Sequence, residues 1–148
     1  MTMSHGGTPL LELRIPHSIE HLPGLLDQIE RLAGQHDWDA MFCSQILLVV
    51  EELVVNAVSY GGRDPDEGWV IVRFVQLPDG LSVTIVDNGQ PYDPFESAPE
   101  PDLDLDLDSR PIGGLGVHFV KEMTDCHAYE RRDGENRVTL LKRWPKSK

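Results

Sequence analysis

Apolar residues recur along this chain with two different periods, and the places where the period changes divide it into elements. From Leu10 to Ile15 apolar and polar side chains alternate, the pattern of a half-buried strand, and Pro16 ends it. Ile19, Leu22, Leu25, Leu26, Ile29 and Leu32 then fall three and four apart. That spacing predicts an amphipathic helix capped by Ser18 and started or bent near Pro23. Gly34 to Asp37 breaks the pattern. A second helix, capped by Asp39, carries Phe42, Ile46, Val49 and Leu53 on one face, reaches Asn56 and stops at Gly61-Gly62. Beyond a polar loop, Trp69 to Gln76 and Leu81 to Val86 read as strands joined at Leu77-Pro78-Asp79-Gly80, an antiparallel hairpin. Tyr92 to Pro111 is rich in Pro and Asp, has no steady period and reads as a long loop. Gly113-Gly114-Leu115-Gly116 opens a third helix with Val117, Phe119, Val120 and Met123 facing inward. Ala128 to Arg132 and Arg137 to Arg143 close the chain as a hairpin around Asp133-Gly134-Glu135-Asn136.

The resulting order is strand, helix, helix, two strands, loop, helix, two strands. Strands joined by tight turns argue for an α+β fold, a two-layer sandwich with a mixed, mostly antiparallel sheet and helices on one face. At 148 residues the whole chain, 1–148, is expected to form a single domain with a core of its own. No apolar run approaches the roughly 20 residues that cross a bilayer, and the first ten residues lack the basic start and apolar centre of a secretion signal. A cytoplasmic protein without a membrane partner is therefore expected. Thirteen Lys and Arg against 25 Asp and Glu give a net charge of -12, which repels phosphate backbones and argues against a nucleic-acid partner. One small phosphate ligand held by backbone amides is still compatible with that charge. Cys43 and Cys126 stand far apart without a CxxC pattern and read as free thiols.

Against this background three stretches carry chemistry. Glu52 and Asn56 are four apart on the second helix and lie one above the other on a single edge. A carboxylate over a carboxamide offers a base beside a neutral oxygen ligand for a hard cation such as Mg2+; the same spacing is also that of an ordinary solvated face. Asp87 stands where the apolar strand ends and Gly89 follows it. The carboxylate suits the amino group of a flat ligand approaching close to the glycine backbone, and Asp-Asn-Gly is equally good turn chemistry. Gly113-Gly114-x-Gly116 runs straight into a helix, an arrangement that presents amides to phosphate or simply makes a tight turn. It is neither GxxxxGK[ST] nor GxGxxG. The Asp102 to Asp108 run fails as a calcium loop in both registers, because Ser or Leu falls where the turn glycine belongs and Leu or Gly where the bidentate Glu belongs. No HExxH, Cys/His cluster or GxSxG is present.

Taken together and in this order, the three stretches resemble the histidine kinase-like (Bergerat) ATPase superfamily. Glu52-x-x-x-Asn56-Ala57 looks like its asparagine box, Asp87-x-Gly89 like its first glycine box and Gly113-Gly114-Leu115-Gly116 like its second. DNGQPYDP and RPIGGLGVHFVKEMTD look more narrowly like the bacterial anti-sigma factor serine/threonine kinases, and the closing pattern from Asn136 through Thr139 to Lys142 fits them as well.

That resemblance implies ATP held between the helices under a lid at about 90–112, with Mg2+ as its counter-ion. By position, Glu52 would be the general base and Asn56 the Mg2+ ligand. Asp87 would take the adenine amino group, and Gly89 would leave room for the ring. Gly113, Gly114, Leu115 and Gly116 would form the phosphate loop, and Thr139 would support the adenine site through water. Two departures stand out: Tyr60 occupies a position where relatives often have His, and Ser59 brings no positive charge, which leaves Arg63 and Arg110 either as candidates for it or, more often for such residues, as plain surface residues. The implied activity is phosphorylation of an anti-sigma antagonist protein, together with sequestration of a sigma factor. A homodimer is implied by the resemblance alone. A non-catalytic, nucleotide-gated binding module is the alternative; it would keep Asp87 and the glycines and have no need of Glu52.

Overall fold

The computed structural model of the chain describes residues 7–97 and 114–146. Five strands form one sheet: β1 (Thr8–Pro16), β2 (Trp69–Gln76), β3 (Gly80–Asp87), β4 (Cys126–Arg132) and β5 (Glu135–Arg143). Their order is β1-β2-β3-β5-β4, and every neighbouring pair is antiparallel. Helices α1 (Leu22–Gln35), α2 (Ala40–Tyr60) and α4 (Gly114–Met123), with a short α3 (Pro94–Ser97), complete the described elements. The chain thus forms the expected α+β sandwich of an antiparallel sheet and a helical layer.

Strand parity builds the core. Val70, Val72 and Phe74 of β2, Val83 and Ile85 of β3, and Val138 and Leu140 of β5 are buried on one face. Leu25, Ile29 and Leu32 of α1 and Ile46, Val49, Val50, Leu53 and Val54 of α2 close over them. With 21 residues and a mean hydropathy of 1.7, α2 is by length and composition apolar enough to cross a membrane, contrary to the expectation from the sequence. The buried row on α2 instead lies in the core against the sheet.

The helix starts follow their caps. Asp39 accepts a hydrogen bond from the Phe42 amide at 3.1 Å and so satisfies one of the free N–H groups of α2. Ser18 caps only a 3-10 turn, Ile19–His21, and α1 begins after it with Pro23 in its first turn, where a missing N–H costs nothing. That offset explains why Ile19 is 55% exposed rather than in the core. On α4 Val117 and Val120 are buried as expected, but Phe119 turns outward at 39% exposure. Both cysteines are free. Within the expected lid, residues 98–112 lie outside the described residues, as do the Asp102–Asp108 run, Arg110 and Gly113.

Candidate nucleotide site

Between α2 and the sheet lies a small, partly enclosed cleft of about 20 Å3. Leu53 and Ala57 of α2 form one wall, Ile85 and Val138 the other, and Asn56, Asp87 and Asn136 bring polar atoms to its edges. An apolar slot with a few convergent polar groups suits a flat, heteroatom-bearing ring.

Asp87 ends β3 and is only 6% exposed. Its Oδ1 accepts two hydrogen bonds, from the Gly89 amide at 2.8 Å and from Asn136 Nδ2 at 3.0 Å. Oδ2 takes none among the described residues, so one acceptor atom remains on a side chain that lines the cleft. Burial pushes the carboxyl above the usual carboxylate range, while Asn136, the Gly89 amide, His17 and Arg131 act in the opposite direction.

Packing makes its own demand for glycine at position 89. Gly89 does not line the cleft. A Cβ there would sit 2.6 Å from the Gly61 Cα, so the glycine lets the β3 exit press on the C-terminus of α2. The Gln90 amide then bonds the Gly61 carbonyl at 2.8 Å. Gly61, read from sequence only as a helix stop, lines the cleft itself. On its other side, a Cβ on Gly61 would run into the His17 ring. His17 is buried and its Nδ1 donates to the Arg63 carbonyl at 3.1 Å.

Asn56 is 3% exposed, and its Nδ2 has no partner among the described residues. Glu52, one turn earlier on α2, is half-buried, and its Oε2 has no partner among the described residues. Burial pushes its carboxyl up; the Asn56 carboxamide counters this and Glu51 adds to it. Unpartnered buried polar atoms are costly, and here two of them sit on one edge of α2. The first turn of α4 approaches the same place: a Cβ on Gly116 would collide with the Glu52 carboxylate. Gly114 and Leu115 open that turn, and Gly116 borders the base candidate. Among the described residues no cluster of three or more His, Cys, Asp or Glu could cage a metal. The donor set, one carboxamide beside one carboxylate, fits instead a Mg2+ that arrives with a triphosphate and keeps mostly phosphate and water ligands.

Three further residues singled out in the sequence, Thr139, Arg63 and Tyr60, have defined surroundings. Thr139 is exposed and projects from the opposite face of β5, because alternate residues of a strand point to opposite faces; Asn136 and Val138 are the β5 residues that reach the cleft. Arg63 Nε donates to the Asn88 carbonyl at 3.0 Å and so braces the turn after β3. Tyr60 stacks, with centroids 4.5 Å apart and an angle of 15°, on Tyr92, which lines the cleft.

Comparison with known proteins gives concordant results. The family model described as histidine kinase-like ATPase domain matches residues 15–142. The serine/threonine-protein kinase BtrW of Bordetella bronchiseptica is 30% identical over 112 residues, covering 76% of this chain and 78% of that protein. The serine-protein kinase RsbW of Bacillus pumilus is 27% identical over 125 residues, covering 78% and 75% respectively. Among solved structures, the RsbU and RsbW domains of a Mycobacterium tuberculosis protein superpose with a TM-score of 0.66 at 16% identity over 90% of this chain, which spans 31% of that longer one. A histidine kinase domain from Erythrobacter litoralis gives 0.53 at 18% identity, over 88% of this chain and 62% of that one. At these identities the two structures bear on the fold.

Proposed function

The chain belongs to the histidine kinase-like ATPase domain family, and from that membership we propose that it is an ATP-dependent serine/threonine protein kinase acting on an anti-sigma antagonist protein. The observation that carries the proposal is the pairing, on one edge of α2, of a half-buried carboxylate with an unpartnered oxygen and a buried carboxamide, beside the first turn of α4 and one turn from the cleft. BtrW and RsbW, both named as serine or serine/threonine kinases, support the reaction class.

The cleft takes the adenine between Leu53, Ala57, Ile85 and Val138, with Asp87 Oδ2 accepting from its amino group. The backbone of 114–116 receives the phosphates, aided by the α4 dipole; Gly113, outside the described residues, is assigned to the same loop. Mg2+ supplies charge neutralisation on the phosphates when bound, with Asn56 as its protein ligand. Glu52 accepts the proton of the incoming serine hydroxyl, and its raised proton affinity brings it nearer to neutrality, where a general base works best. The protein is proposed to work in the cytoplasm and to sequester a sigma factor when its antagonist is phosphorylated.

Substituting Glu52→Gln tests this directly. The carboxamide keeps size and packing and cannot take a proton. Retained MgATP binding with phosphoryl transfer reduced by at least about a hundredfold is expected, the scale of a lost general base. Full transfer by the variant would remove Glu52 from the role. Unchanged partner exchange with no transfer in the wild type either would leave a nucleotide-gated binding module.

A further inference from the structure

Asn136 collects more hydrogen bonds than any ligand role at its position requires. It lies near the start of β5, paired with Asp87 of β3 on one side and Arg131 of β4 on the other, and is 3% exposed. Nδ2 donates to Asp87 Oδ1 at 3.0 Å and to the Gln90 carbonyl at 2.8 Å. Oδ1 accepts from the Tyr92 amide at 3.2 Å, the Tyr129 hydroxyl at 2.6 Å and Arg131 Nη1 at 3.3 Å. The same Nη1 donates to the Gly89 carbonyl at 2.7 Å. An amide has two donor protons and two lone pairs, so nothing on this side chain is left for a ligand.

We propose that Asn136 is a positioning residue that fixes the Asp87 carboxylate and the chain leaving β3, Gly89–Tyr92, in one register, so that nucleobase recognition and the backbone crossing the mouth of the cleft are set together. The inference rests on the reading of Asp87 as the nucleobase acceptor. Only Asn meets the requirement at this reach. Ser or Thr has one proton to give and leaves either Asp87 or Gln90 unserved. Asp has the acceptors and no donor, and sets a second carboxylate against Asp87. Burial disfavours the ionised form of Asp87 and is the largest influence on it; the Asn136 and Gly89 donors, His17 after β1 and Arg131 on β4 favour that form, and the neighbouring Tyr129 hydroxyl on β4 is held protonated. Removing one donor from that set raises the pH at which Asp87 takes a proton.

Two measurements on Asn136→Ala and the near-isosteric Asn136→Asp test the proposal. In amide exchange without nucleotide, the Tyr92 amide should speed up at least about tenfold in Asn136→Ala, the scale of one lost hydrogen bond. The Gln90 amide, bonded instead to Gly61, should keep its protection. In MgATP calorimetry from pH 5 to 8, both variants should bind more weakly, with the acid loss of affinity beginning at higher pH, most of all in Asn136→Asp. Unchanged Tyr92 exchange, or weaker binding with an unmoved acid limb, overturns the proposal. If Asn136→Ala does not fold, the acid limb of Asn136→Asp decides alone. Failure of the wild type to bind MgATP is a separate result: it removes the nucleotide reading and this inference with it.

Discussion

The two oxygens of Asp87 face different demands: Oδ1 is held by the Gly89 amide and Asn136, and Oδ2 accepts no hydrogen bond among the described residues. Its carboxyl is raised by burial, so the folded chain binds that proton more tightly than the unfolded one. Above the raised value the folded state holds a poorly solvated charge, a cost to stability; as pH falls through that value the folded state takes the proton first and the cost is relieved. Asp87→Asn keeps an oxygen for both donors and removes the charge. It should raise the thermal midpoint of the ligand-free protein at pH 7, with the gain shrinking as the pH approaches 4; a lower midpoint at pH 7 would contradict this. Glu52 is raised by the same cause. A base must be ionised to act, so phosphoryl transfer should fall on acidification with a midpoint above the ordinary glutamate range of about 4.3. A midpoint at or below that ordinary range would exclude it.

At the level of elements, the glycines separate into those that hold two elements together and those that do not. Gly89→Ala should cost about 1–3 kcal/mol in urea unfolding, because its Cβ meets Gly61 backbone that has no room to yield. Gly24→Ala, inside α1 with nothing within 4 Å, should instead stabilise by about 0.5–1 kcal/mol. Such pairings explain what sequence could and could not give. Hydrophobic period located α1, α2, α4 and both hairpins but not the short α3, which fell in the stretch read as a loop; Asp39 was legible as a cap because cap chemistry is local. Asn136 was not legible. The closing turn is two residues, Asp133 and Gly134, at φ 54° and 77°, rather than four. Asn136 therefore enters β5 and faces Asp87, a partner 49 residues away that no local pattern announces. The same strand parity turned Thr139 outward.

For the whole molecule, the net charge of -12 sets the terms of any triphosphate complex. A long-range field of that sign opposes the ligand, so affinity has to come from contacts inside the cleft and from a divalent ion carried with the phosphates. Family membership extends over residues 15–142, nearly the whole sandwich, and the order of the three boxes was readable because each is short and contiguous. Their convergence was not: α2, the β3 exit and the first turn of α4 meet only once β5 is inserted between β3 and β4. The measurement that bears most directly on the account is calorimetric binding of ATP, with and without Mg2+, to the wild type and to Asp87→Asn. Binding that needs Mg2+ and weakens by one to two orders of magnitude in the variant, roughly the loss of a hydrogen bond to a charged acceptor, is the predicted result. No binding at millimolar ATP, or equal binding by Asp87→Asn, would contradict it.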